Sequence, residues 1–222
     1  MNSHSYFAKL QTITELYSLK MKADNKHTKI ISAATKVFAK KGFFTARISD
    51  IAKEAKVADG TIYLYFNNKY DILLSVFEEE VGKIVENTKK LIANEDDPVE
   101  MLKVYISQHL LSMKKNRYLA EVIQIELRQT NKVIKNYRDN KFSEYVSIVA
   151  EIIAEGQKKE KYKAEINPEI AKRIIFGALD EVCRVWNASL ESHYTVDEIT
   201  EQVVTLIHSG ILHPTGSKSI SD

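Results

Sequence analysis

The sequence predicts an all-α protein: an N-terminal three-helix head containing a helix-turn-helix, joined to a larger helical body, about nine helices in all. Three observations predict it. Helix breakers are scarce, with 7 glycines and 3 prolines in 222 residues. Apolar residues recur three and four apart over long stretches, the period of a helix with one buried face. Helix starts are signalled repeatedly, by Asp97-Pro98-Val99-Glu100, Asn167-Pro168-Glu169 and Thr195-Val196-Asp197-Glu198. Each pairs a capping side chain with a proline at the first helical position or an acid at the third. A hydrophobic fraction of 44% is enough for a real core. No run approaches the roughly 18 apolar residues of a membrane span.

Residues 1–24 read as an extension with marginal amphipathic character, carried by Phe7, Leu10, Ile13, Leu16 and Leu19. The first firm helix spans Thr28 to Lys41, with Ile30, Ile31, Ala34, Val37 and Phe38 inward and Gly42 placed as its terminating residue. The stretch Thr45 to Lys69 organises the head, which is expected over residues 25–70. Ile48, Ile51, Ala52 and Ala55 form the apolar face of one short helix, and Lys56-Val57 breaks the rhythm. Asp59 to Tyr65 reads as a second short helix, with Val57, Ile62 and Phe66 inward and Thr61, Tyr63 and Tyr65 outward. Asn68 then caps a long helix running to about Asn94.

Residues 71–222 form the body. The Asp97-Pro98 helix runs to about Lys115 and places Leu102, Tyr105, Ile106, His109 and Met113 on one face. A shorter helix covers about Arg117 to Gln129. A long one covers Asn131 to Lys159, with Ile134, Tyr137, Tyr145, Val149, Ile152 and Ile153 inward. The Asn167-Pro168 helix continues to about Leu190, and the Thr195 helix closes the fold with Ile199, Val203, Leu206, Ile207 and Ile211.

Charge separates the two parts. From Lys20 to Tyr70 there are eleven Lys/Arg against four Asp/Glu, a surplus of +7 under a whole-chain charge of +2. Residues 1–19 are neutral, so the body carries −5. A basic head on an acidic body is the electrostatic footprint of a DNA-binding module. A helix-turn-helix can lay its second helix in the major groove. The hydroxyls of Thr61, Tyr63 and Tyr65 suit phosphate oxygens, as do Arg47, Lys56 and Lys69 at or near helix ends. Enzyme signatures do not turn up: there is no Gly-rich phosphate loop, no GxSxG elbow, and no metal-ligand spacing among the six histidines. No cofactor is expected. The single cysteine, Cys183, excludes an internal disulfide and fits a reducing cytoplasm.

Gly42-Phe43, Asp50-Ile51-Ala52, Ala55, Val57 and the run Gly60-Thr61-Ile62-Tyr63-Leu64-Tyr65-Phe66, with Lys69 and Leu73, resemble the TetR family of bacterial transcription regulators. Lys56 stands where that family usually has a turn glycine. Ala58 and Ala46 stand where it often has capping Ser and Thr, so Thr45 or Asp59 is expected to cap instead. The resemblance implies a two-fold homodimer through the last two long helices, bound as a repressor to a pseudo-palindromic double-stranded operator. Two such heads meet half-sites about 34–36 Å apart. It also implies a small hydrophobic effector held in the body, whose binding changes the spacing of the heads.

Candidate lining residues are polar or aromatic groups on inward faces: Tyr105, His109, Met113, Gln124, Tyr145 and Arg184. Phe176-Gly177-Ala178-Leu179-Asp180-Glu181-Val182 with Trp186, together with the Val57–Phe66 run, resembles the branch of the family that regulates fatty-acid degradation. That implies a long-chain acyl-CoA, with Arg117, Arg128, Lys132, Arg138 and Arg173 as cations for its phosphates. The alternatives are a repressor of an efflux gene that senses drugs or other hydrophobic compounds and, in another class, an architectural DNA-binding protein with no effector. A body of about 150 residues argues against the last, since coating DNA does not need it.

Overall fold

The computed structural model describes residues 25–129, 141–188 and 194–212. They divide into two compact units, with the break between Val76 and Phe77, later in the chain than the expected boundary after Tyr70. The expectations for residues 1–24 and for Ile134 and Tyr137 lie outside the described residues. No described helix is long and apolar enough to cross a membrane.

The first unit holds four helices: α1 (25–41), α2 (Ile48–Ala55), α3 (Asp59–Ile62) and α4 (Lys69–Val76). Its core is Ile30, Ile31, Ala34, Val37 and Phe38 from α1, closed by Phe43, Ala46, Ile51, Ala52, Ile62, Phe66, Ile72, Leu73 and Val76. α1 ends as expected. Gly42 takes φ 73° and returns its N–H to the Phe38 carbonyl at 2.8 Å, a left-handed closure that glycine adopts without a Cβ penalty. The second helix of the helix-turn-helix is shorter than expected. Regular α geometry stops at Ile62, and Tyr63 to Tyr65 continue in tighter turns, with Leu64 N–H on Thr61 O and Tyr65 N–H on Ile62 O.

The second unit opens with a single π-helical stretch, Phe77–Val81, followed by α5 (Gly82–Ile92), α6 (Pro98–Lys115) and α7 (Arg117–Gln129). It closes with α8 (Lys141–Lys158), α9 (Pro168–Ala188) and α10 (Val196–Ile211). Helical residues run without a break from 69 to 92, so the expected long helix is present with a widened turn inside it. Counting 69–92 once gives nine helices among the described residues.

The three predicted starts all form. Asp97 accepts from Val99 N–H at 3.0 Å, and Asn167 from Glu169 N–H at 2.8 Å. Thr195 and Glu198 cap each other reciprocally. Against α8, the widened turn supplies Glu78, whose carboxylate accepts the Lys141 N–H at 3.1 Å. Glu144 bridges Lys141 and Lys89, tying α8 to α5. α6 packs on α5, α8, α9 and α10 and is the central helix of the unit.

Candidate nucleic-acid interface and effector core

Thr45 does not cap the first turn of α2. Arg47 occupies the cap position, and the Asp50 carboxylate accepts its N–H at 3.0 Å. Lys41 reaches the same carboxylate at 2.6 Å. The lysine, then the Arg47 N–H, hold the Asp50 carboxyl below the usual range. The turn between α2 and α3 forces Lys56 to φ 57°, the left-handed region. Its N–H and that of Val57 then close back on Lys53 and Ala52, satisfying the end of α2. α3 (Asp59–Ile62) follows Ala58 without a side-chain cap.

Around this turn the expected DNA-contacting residues divide. Arg47, Lys56 and Tyr63 are exposed, and Thr61 is half-buried. Tyr65 is half-buried beside His27, whose ring stacks on Phe66 at 5.0 Å. Lys69 is engaged within the head. Its ammonium donates to the carbonyls of Phe44 (3.1 Å) and Ala46 (2.8 Å) and sits 4.7 Å over the Phe43 ring. That clamps the start of α4 to the residues leading into α2, next to Arg47. Sequence reasoning missed Leu64, which is 81% exposed between Tyr63 and Tyr65. The strict helical face assigned to Asp59–Tyr65 hid it.

Helix periodicity places Tyr105, His109 and Met113 one turn apart on the buried face of α6. Tyr145 of α8 joins them. Its hydroxyl lies 3.0 Å from His109 Nδ1, and its ring stacks on Tyr105 at 5.1 Å and on His109 at 5.9 Å. Phe176 of α9 meets the His109 ring edge-on at 5.6 Å and Phe142 at 5.2 Å. Burial drives His109 down to about 4, so its imidazole is neutral at pH 7. Burial also raises both tyrosines, and Cys183 to about 12, which leaves the thiol inert. The Tyr105 hydroxyl, His109 Nε2 and the Thr88 hydroxyl of α5 are buried without a hydrogen-bond partner. Such atoms are uncommon in a folded interior and call for an explanation.

Two expected lining residues lie elsewhere. Gln124 is buried, but its amide is taken by the Asp180 carbonyl at 3.2 Å. Arg184 is exposed and forms a forked pair with Glu181 on the same helix. Arg117 and Arg173 are exposed. The Arg128 side chain, Lys132 and Arg138 lie outside the described residues. No described group of His, Cys, Asp and Glu could hold a metal ion.

A helix-turn-helix head followed by an all-helical unit with a buried aromatic–polar core defines the class: a DNA-binding regulator. Residues 30–76 match the family of bacterial regulatory proteins described as the TetR family, and residues 77–210 match the C-terminal region of the YsiA-like proteins. The chain belongs to the TetR family and is a transcriptional regulator, not an enzyme. It is 36% identical over 186 residues to the fatty acid metabolism regulator protein of Bacillus subtilis, covering 84% of this chain and 95% of that one. Among solved structures, the fatty acid degradation regulator FadR of Bacillus halodurans superposes with a TM-score of 0.76 at 36% identity, over 83% of this chain and 95% of that one. FadR of Bacillus subtilis in complex with stearoyl-CoA gives 0.76 and 36%, over 82% and 98%.

Proposed function

We propose that the protein is a homodimeric repressor of a pseudo-palindromic operator and that a long-chain acyl-CoA releases it. The observation that carries this reading is its likeness, at 36% identity over most of both chains, to a regulator solved with stearoyl-CoA. The interior of the second unit supports it. Tyr105, His109, Tyr145 and Met113 form a mixed aromatic and polar patch set in aliphatic surroundings, the composition of a site for a largely apolar ligand.

The dimer uses the outer faces of α9 and α10. Ile170, Ile174 and Leu206 are 58%, 65% and 74% exposed, and with Ile166, Ile207 and Ile211 they line an apolar groove of about 580 Å³. A contiguous apolar surface of that kind fits a protein interface better than water. In the head, Arg47, Lys56, Thr61 and Tyr63 supply phosphate contacts, and Leu64 offers an apolar contact for a thymine methyl. Lys69 acts on DNA indirectly, by setting the spacing of α4 and α2.

The test is a gel shift of the full chain on DNA from its own upstream region, with and without stearoyl-CoA. Loss of the shifted band on adding stearoyl-CoA is the expected result. A band that stearoyl-CoA leaves intact removes the acyl-CoA reading and favours another hydrophobic effector.

A further inference from the structure

On the acyl-CoA reading above, we infer that Tyr105 and His109 form a dock for the acyl carbonyl oxygen, so that this protein recognises the thioester itself and not only the hydrocarbon. The two side chains stand one turn apart on α6 and share a face. Both are almost fully buried; His109 Nε2 has no partner, and the Tyr105 hydroxyl, beside that of Tyr145, makes no hydrogen bond of good geometry. The dock requires the tautomer in which Tyr145 donates to His109 Nδ1, 3.0 Å away, and the neutral ring carries its proton on Nε2. The pair then offers two donors, and a carbonyl oxygen has two lone pairs.

The surroundings give the ligand a direction. α8 runs antiparallel to α6: its far end meets the start of α6 through Lys161–Asp97 and Tyr162–Pro98. From Tyr145 toward that end the facing residues are aliphatic, namely Ile106 and Leu102 on α6 with Val149, Ile152 and Ile153 on α8. Toward the other end lie Phe176 and Phe142, which are only partly buried. The polar pair therefore sits between an aliphatic interior and a partly buried aromatic edge. A thioester placed there sends its alkyl chain inward and its coenzyme outward. A free fatty acid suits the site less well, because a carboxylate buried against neutral groups lacks a counter-charge.

The experiment measures binding of stearoyl-CoA and of S-octadecyl-CoA, the thioether without the carbonyl, to the full-length protein, with stearate as a third ligand. The wild type is expected to favour stearoyl-CoA by about tenfold, the scale of one or two buried hydrogen bonds. In Tyr105→Phe the preference is expected to shrink to about threefold or less. Equal affinity of the wild type for the two coenzyme ligands overturns the carbonyl dock and leaves the acyl-CoA reading standing. An undiminished preference in Tyr105→Phe also overturns the dock, as does stearate binding as tightly as stearoyl-CoA. Binding of neither coenzyme ligand removes the acyl-CoA reading and the dock together. The wild-type comparison needs no variant, so it holds whether or not Tyr105→Phe folds.

Discussion

The ring of Tyr162 fills the space that a Cβ on Gly156 would need. Gly156 lies in the last turns of α8, and its carbonyl accepts the N–H groups of Lys161 (2.8 Å) and Tyr162 (3.2 Å). The Tyr162 hydroxyl donates to the Pro98 carbonyl at 2.9 Å, and Lys163 N–H reaches the Ile211 carbonyl at 3.0 Å. One glycine thus lets a single loop join the end of α8 to the start of α6 and the end of α10. Gly156→Ala is expected to destabilise the protein by about 1–3 kcal/mol, the usual cost of overpacking. Tyr162→Phe keeps the ring and loses the hydroxyl's bond to the Pro98 carbonyl and its longer contact with His208 Nε2 (3.5 Å), for about 1–2 kcal/mol. Urea unfolding of both variants checks this, and a neutral Gly156→Ala would contradict the packing account.

Lys69 and Tyr63 separate fold from function in the head. Lys69→Met keeps most of the aliphatic stem but removes the ammonium from above Phe43 and leaves the Phe44 and Ala46 carbonyls without their donor. A loss of about 1–3 kcal/mol is expected. Tyr63 is 58% exposed, so Tyr63→Ala is expected to stay within about 0.5 kcal/mol of wild type. On the proposed docking, it nonetheless weakens operator binding. Thermal unfolding alongside DNA titration checks both. A Tyr63→Ala variant that binds the operator at full strength would remove that residue from the interface.

Most of the fold was legible because local chemistry and tertiary packing agree. Asp97, Asn167 and Thr195 cap the helices they were expected to cap, and Gly42 and Lys56 take the left-handed turns their positions called for. What the sequence hid are contacts with partners distant along the chain. Lys69 is recruited by carbonyls 23 and 25 residues earlier, which no helical spacing reveals. Arg184 sits on a helix whose apolar residues point both inward, at Leu179 and Cys183, and outward, at Ile170, Ile174 and Val185. A helix with apolar residues on two faces does not declare which one is the interior. In the aromatic core, spacing placed Tyr105, His109 and Met113 on one face. That Tyr145 would meet them from α8 depends on tertiary packing.

Lys56 invites a trade-off. A non-glycine residue in the left-handed region costs about 1 kcal/mol, so Lys56→Gly is expected to stabilise the head by a similar amount. It also removes an exposed positive charge beside the proposed DNA face. If that lysine neutralises a phosphate, the slope of log affinity against log salt is expected to fall by about 0.9. Unfolding curves and operator titrations across a salt series read the two effects separately. An unchanged slope would place Lys56 off the DNA.

His109 makes the second unit sensitive to mild acid. Its folded pKa of about 4 lies below the ordinary 6.5, because burial disfavours the charged ring. The unfolded chain therefore takes up a proton as pH falls through 6.5, while the folded chain does not until near 4. Stability is full above 6.5 and is lost on acidification between those values. His208, buried at the Tyr162 junction, is lowered in the same direction, again chiefly by burial. Asp50, Asp97, Glu144 and Glu198 are lowered too, and they add their losses at more acid pH as they protonate. The window from 6.5 to 5 therefore belongs to the histidines. His109 accounts for about 2 kcal/mol of it, at 1.4 kcal/mol per unit. Urea unfolding at pH 7.5, 6.5, 5.8 and 5.0 is expected to show that decline, and His109→Gln to flatten most of it. A wild-type curve already flat from 7.5 to 5.0 would mean that His109 reaches solvent, and the buried pairing with Tyr145 would fall with it.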